Sequence, residues 1–157
     1  MRGAFSADTI TVHTDGSCNP AFRVGGWAAI IVSGERKVVL TGHDVETTHQ
    51  RMELMAVIRA LRYIHTHQLE PRSVQVFTDS QYVINILASG HRLEAREFRT
   101  KRKAPVRNDD LVRAFLEVAK IVAPTLYKVK AHGADDLHRE VDKLSRRIVR
   151  DVVHYGG

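Results

Sequence analysis

Four acids of this chain stand at positions suited to holding a cation. Asp15 and Asp79 occur in one repeated phrase, Thr14-Asp15-Gly16-Ser17 and Thr78-Asp79-Ser80. Each phrase follows a short apolar run, Ile10-Thr11-Val12-His13 in one case and Ser73-Val74-Gln75-Val76-Phe77 in the other. Such runs read as β-strands, so each acid falls where a strand stops and the chain turns. In open α/β sheets, ligands collect outside the carboxyl ends of strands. Hard divalent cations such as Mg²⁺ take oxygen donors, chiefly carboxylates and water. Glu53 is a further candidate, in the opening turns of a predicted helix at the edge of its apolar face. Asp142 is another, to one side of the main stripe of the last predicted helix, near Ser145 and Val149.

Taken singly, each acid has a plainer use. A strand-end Asp makes an Asx turn, an early-helix Glu complements the macrodipole, and Asp142 reads as a solvated helix residue. Spacing alone leaves open whether the four converge. The pairs Asp109-Asp110 and Asp135-Asp136 read as helix caps.

The elements that must position these acids follow from periodicity. Residues 9–15, 25–33 and 36–45 read as three strands with short connections, which favours an antiparallel meander. Residues 47–67 read as a helix, with Thr47 and Gln50 as a capping box and Leu54, Ile58 and Leu61 as its buried stripe. A strand at 73–78 leads to a helix from Ser80 to about Ala88, stopped near Gly90. A helix from Asn108 or Asp109 to Val122 is ended by Pro124. A fifth strand spans Leu126–Lys130. A last helix follows, capped by Asp135 or Asp136, with a stripe of Leu137, Val141, Leu144 and Ile148. The order β-β-β-α-β-α-α-β-α predicts an α/β fold: a mixed five-stranded sheet flanked by helices, with right-handed crossovers between parallel strands.

The 157 residues and 43% hydrophobic content fit one folded domain spanning the chain. No run approaches the ~20 apolar residues of a membrane span. The first residues lack the apolar core of a secretory signal. The single cysteine, Cys18, excludes an intrachain disulfide and a cysteine-based zinc site. A reducing, cytoplasmic location is the expectation. The net charge of +6 favours a polyanionic partner. Arg92, Arg96, Arg99, Lys101, Arg102 and Lys103 concentrate that charge in a stretch at about 90–104 that contains only Glu94 and Glu97 as acids.

Thr14-Asp15-Gly16-Ser17-Cys18, Arg51-Met52-Glu53-Leu54, Thr78-Asp79-Ser80-Gln81-Tyr82-Val83, Pro105-Val106-Arg107-Asn108-Asp109-Asp110-Leu111 and Lys130-Ala131-His132-Gly133 stand in one register, with Asp142 ten residues beyond the histidine. Together they resemble type 1 ribonuclease H over residues 9 to 150. The resemblance implies a ribonuclease H-like fold and an enzyme that hydrolyses the RNA strand of an RNA–DNA hybrid, leaving 5′-phosphate and 3′-hydroxyl ends; a monomer is the default expectation. It implies two Mg²⁺ ions, with Mn²⁺ as substitute, held by Asp15, Glu53, Asp79 and Asp142, Asp15 bridging them. Paired ions about 4 Å apart activate the attacking water and stabilise the leaving oxygen. His132 matches a loop histidine that assists proton transfer or product release. Cys18, Asn19, Thr48, Arg51 and Gln81 match the substrate groove, where 2′-hydroxyls distinguish RNA from DNA; Thr48 would contact a DNA-strand phosphate. The basic stretch, with Arg99, Lys101, Arg102 and Lys103, matches a protrusion that holds nucleic acid.

The chain departs from the family pattern in places. His49 and Gln50 replace two asparagines before Arg51, which alters the groove. His138 replaces an asparagine four residues before Asp142, and this change is expected to touch loop–helix contacts rather than the metal site. Phe22 and Arg23 lie in a shortened first loop, where they add a nucleic-acid contact or repack the turn. The basic stretch has no tryptophan, so its binding would rest on charge. Two other readings stay open: a hybrid-binding module without catalysis, and a transposase- or resolvase-like nuclease on the same fold.

Overall fold

The computed structural model describes residues 9–67, 73–130 and 135–155. Three strands, β1 (Thr9–Asn19), β2 (Val24–Ser33) and β3 (Arg36–Asp44), form the meander, and α1 (His49–Thr66) follows. Then come β4 (Ser73–Thr78), α2 (Gln81–Ala88), α3 (Gly90–Ala95), α4 (Asp109–Val122), β5 (Thr125–Lys128) and α5 (Asp136–Tyr155). The sheet order is β3-β2-β1-β4-β5. The meander pairs antiparallel, whereas β1–β4 and β4–β5 pair parallel. The mixed five-stranded sheet expected from the sequence is the one observed.

Alternation along each strand sorts side chains to two faces. Ile10, Val12, Ala29, Ile31, Val74 and Val76 pack under α1 and α4, where Leu54, Ile58, Leu61, Val112 and Phe115 complete the main core. Ala28 and Ile30 face the other way and meet Val141 of α5. No helix among the described residues is long and apolar enough to cross a membrane.

Several boundaries differ from the periodicity reading. β1 continues to Asn19, paired with β2 alone beyond His13. The α1 cap is Thr48, whose Oγ1 accepts from Arg51 N at 3.2 Å, and not Thr47, which is buried. Gly90 opens α3 instead of closing α2, whose C-cap is Ser89. β5 is shorter than expected, although Val129 N still donates to the Thr78 carbonyl.

The buried line of α5 is His138, Val141, Ser145 and Val149, with Leu137, Leu144 and Ile148 only partly covered. The helix is thus rolled toward Asp142 relative to its most apolar stripe. The reason lies in β2. A Cβ on Gly26 would sit 2.8 Å from Ser145 O and 2.9 Å from Ile148 Cγ2, so the absent side chain is what lets this line of α5 settle on the strand.

Candidate active site

The last parallel partners of β1 and β4 are His13 and Phe77. Asp15 and Asp79 each stand two residues further on, so the register that pairs the strands also sets the two acids side by side. Alternation gives Asp15 the same face as His13. Glu53 arrives from α1, whose backbone crosses β1 at Gly16. A Cβ on Gly16 would lie 2.5 Å from Glu53 N and 2.6 Å from Met52 C, so only glycine permits this approach. Carboxylate oxygens of Asp15, Glu53 and Asp79 all fall within 4.8 Å of one another. Asp142 reaches the group from the opposite face. Ser145 Oγ lies 3.3 Å from Asp15 Oδ2 and 3.1 Å from the Asp142 carbonyl, tying α5 to the acid on β1.

These acids are packed at an electrostatic cost. Asp15 and Glu53 are buried. Burial, then the neighbouring Glu53 and Asp79 charges, push the Asp15 carboxyl up to about 9. Burial also raises Glu53, against the opposing pull of His49. Glu53 Oε2 is buried without a hydrogen-bond partner among the described residues. Crowded carboxylates with an unpartnered oxygen are the donor set that a hard dication satisfies.

Two histidines sit on the acids. His49 Nε2 is 2.8 Å from Glu53 Oε1, one helical turn away, and its proton affinity rises in consequence. His138 is buried on α5, with Nε2 3.6 Å from Asp79 Oδ2. That contact lowers Asp79 and raises His138. The expectation that His138 concerns only loop–helix contacts is therefore wrong: its ring faces the acid cluster. The signal was in the spacing, because four residues before Asp142 is one turn of the same helix face. His13, stacked on Phe77 at 5.0 Å between ring centroids, lies buried beneath them, and burial lowers its pKa.

A model of the RNase H family matches residues 7–150. The chain belongs to the ribonuclease H family. The ribonuclease H of Aromatoleum aromaticum is 39% identical over 150 residues, 95% of each chain. That of Chlorobium phaeobacteroides is 34% identical over 144 residues, covering 90% of this chain and 96% of the relative. Among solved structures, a type 1 RNase H with the type 2 active-site motif superposes with a TM-score of 0.79 at 21% identity, over 94% of this chain and 74% of the other. The fold is that of ribonuclease H.

Other residues expected to line the ribonuclease H groove have partners that local sequence did not reveal. Asn19 Oδ1 accepts from Ala21 N at 3.0 Å and Phe22 N at 3.2 Å, so it closes the first turn. Phe22 projects from that turn, 63% exposed. Cys18 is half-buried against the Thr47 carbonyl. Arg51 forms a bidentate pair with Asp110, both bonds at 2.8 Å, and the guanidinium holds the Asp110 carboxyl down to about 2. Asp110 is thus an anchor for Arg51 as well as a first-turn acid. Asp135 behaves as the expected cap, Oδ1 accepting from Leu137 N and His138 N.

Gln81 accepts from Lys128 Nζ at 3.1 Å and donates to Asn85 Oδ1 at 2.9 Å, which locks its amide. Gln50 is half-buried at the start of α1. Arg99 Nη1 donates to the Lys103 carbonyl at 2.8 Å, folding back the tip on which Lys101, Arg102 and Lys103 stand exposed. His132 lies outside the described residues.

Proposed function

We propose that this ribonuclease H cleaves the RNA strand of RNA–DNA hybrids endonucleolytically at Asp15, Glu53, Asp79 and Asp142, leaving 5′-phosphate and 3′-hydroxyl ends. The supporting observation is the meeting of three carboxylates within 4.8 Å, Asp15 and Glu53 among them buried. Two Mg²⁺ ions, or Mn²⁺ in their place, would supply the charge that activates water and stabilises the leaving oxygen. Asp15, central among the acids, would serve both ions. Glu53 and Asp79 hold one flank of the cluster and Asp142 the other. Asp142 Oδ1 also accepts from Arg146 Nε at 3.1 Å. His49 engages only Glu53 Oε1 and leaves Oε2 for the cation, and its 64% exposed side chain has room to swing away. His132 would carry a proton to the departing product.

The hybrid would lie across the groove made by Cys18, Asn19, Thr48, His49, Gln50, Arg51 and Gln81, with Arg99, Lys101, Arg102 and Lys103 gripping it by charge. A monomer in the reducing cytoplasm suits one free cysteine and a self-contained acid cluster.

The test is to incubate the protein with labelled hybrid, RNA duplex and DNA duplex, each with Mg²⁺, Mn²⁺ or chelator. Cleavage confined to the RNA of the hybrid, abolished by chelator and by Asp15→Asn, is expected. Wild-type rates in a folded Asp15→Asn protein, or preferential cutting of DNA, would overturn the reading.

A further inference from the structure

Asp79 also borders a cleft of about 530 Å³, which it shares with Lys128, Val129 and Lys130. That volume falls in the ~300–1,000 Å³ range of ligand sites. The backbone of its wall is fixed. Lys128 pairs with Thr78 in the parallel β4–β5 register, and Val129 N donates to the Thr78 carbonyl at 2.9 Å. Thr78 immediately precedes Asp79, so the register that brings β5 alongside β4 also sets Lys128 beside an acid of the cluster.

The Lys128 ammonium is held without being neutralised. Nζ donates to Gln81 Oε1 at 3.1 Å, and Gln81 Nε2 donates in turn to Asn85 Oδ1 at 2.9 Å. The acceptor is a neutral amide, so the full positive charge remains. An ammonium carries three N–H donors, and this bond uses one of them. A lysine head rides on a flexible stem and loses entropy when it binds. Here the relay from Asn85 through Gln81 restrains it beforehand. Lys37 and Lys120 differ, since each ends on a carboxylate, Glu140 and Glu94. Lys128 takes part in no ion pair among the described residues, and the Asp79 carboxylate meets His138 instead. A restrained ammonium with two spare donors and an uncancelled charge is a seat for a phosphate.

Resting on the hybrid-cleavage reading above, we propose that Lys128 Nζ binds a phosphodiester of the RNA strand next to the one being cleaved. Asp79 borders both the acid cluster and the cleft, so a strand whose scissile phosphate lies at the acids continues past Lys128. The flanking phosphate does not change charge during the reaction. The contact therefore sets affinity rather than the rate of the chemical step.

Lys128 is exposed, so its replacement leaves the core intact. Lys128→Gln should raise KM for hybrid about tenfold, the loss of one hydrogen bond to a charged group, with kcat within about twofold of wild type. The logarithmic salt slope of hybrid binding should flatten by roughly 0.9, the share of one phosphate. Lys128→Arg keeps the charge and should restore the slope. The deciding measurement neutralises single RNA linkages on either side of the mapped cut. Each carries a 2′-O-methyl methylphosphonate and is compared with a 2′-O-methyl phosphodiester at the same place. At one flanking linkage the loss of charge should lower kcat/KM about tenfold in the wild type and no more than about twofold in Lys128→Gln. A role exerted only through Gln81 would leave these penalties equal in the two proteins. Equal penalties at every flanking linkage, or wild-type KM and salt slope in Lys128→Gln, would overturn the proposal. The same assay separates the two levels. Hybrid left uncut by the wild type, or cut at the wild-type rate by Asp15→Asn, sinks the cleavage reading, whereas equal penalties in a protein that cuts hybrid sink only the role of Lys128.

Discussion

Ser145 on α5 places its hydroxyl 3.3 Å from Asp15 Oδ2 on β1, a direct hydrogen bond between this helix and that acid. The same oxygen lies 3.1 Å from the Asp142 carbonyl, and its single proton serves one acceptor at a time. Ser145 therefore orients Asp15 while remaining a neutral group at a crowded anionic centre. Removing it as Ser145→Ala should raise the Mg²⁺ concentration for half-maximal cleavage roughly tenfold. The midpoint of thermal unfolding should fall by roughly 2–4 °C, the equivalent of about 1 kcal/mol. A metal titration and a melting curve check both, and an unchanged titration would remove Ser145 from the site.

Gly16 tests whether backbone approach sets the acid separation. A methyl group there would press on Glu53 N at 2.5 Å and Met52 C at 2.6 Å, both backbone atoms that have nowhere to go. Gly16→Ala should cost about 1–3 kcal/mol by overpacking. It should also weaken metal binding without altering any charge, because β1 and α1 must part. Metal affinity equal to the wild type in a folded Gly16→Ala protein would contradict this account.

Asp15 should destabilise the metal-free protein as pH rises. Its folded pKa stands at about 9 against the ordinary aspartate value of 3.8, so the folded state holds its proton more tightly than the unfolded chain. That contribution is complete below the unfolded value and is lost as pH rises through about 9. With chelator present at pH ~8, Asp15→Asn should melt at least roughly 2–4 °C above the wild type. The two curves should converge near pH ~4, where unfolded carboxyls protonate, and added Mn²⁺ should narrow the gap at high pH. Melting curves across pH are the measurement; a variant no more stable at pH ~8 would contradict the crowding.

The Arg51–Asp110 pair works in the other direction. Asp110 is depressed to about 2, so its contribution is present above the unfolded carboxylate range and lost as pH falls through about 2. Its side chain is 62% exposed, and solvent screening keeps the value of the pair below about 1 kcal/mol. Asp110→Asn should therefore lower stability slightly at neutral pH, with the difference closing in acid. Its larger effect should be on KM for hybrid, because Arg51 loses the partner that fixes its guanidinium.

Salt should report on the exposed tip at Lys101, Arg102 and Lys103. Replacing all three by alanine should flatten the logarithmic salt dependence of hybrid binding by roughly 0.9 for each phosphate no longer neutralised, up to about 3. Equal slopes in the wild type and the triple variant would show that the tip does not hold phosphates.

Much of the fold was legible because its signals are local. Alternation over 9–15 and 73–78 marks strands, and the stripe Leu54, Ile58 and Leu61 marks the covered face of α1. The repeated Thr-Asp phrase at two strand ends pointed to the edge of the sheet where the acids meet. The capping role of Asp135 was likewise readable, since a cap acts within three residues of itself.

By itself, the sequence determined the five strands, four of the five helices, their order and the chemical types available at the sheet's edge, because side-chain periodicity and capping act over one or two turns. Tertiary structure alone decided the rest. The roll of α5 depends on the missing side chain of Gly26, more than a hundred residues away. Arg51 finds Asp110 across 59 residues, and Ser145 finds Asp15 across 130. His138 is expected from the sequence to touch only loop–helix contacts, until the helix is laid on the sheet, where its ring faces Asp79. Burial and the mutual repulsion of carboxylates are properties of that packing, and they are what turn ordinary acids into groups that call for a cation.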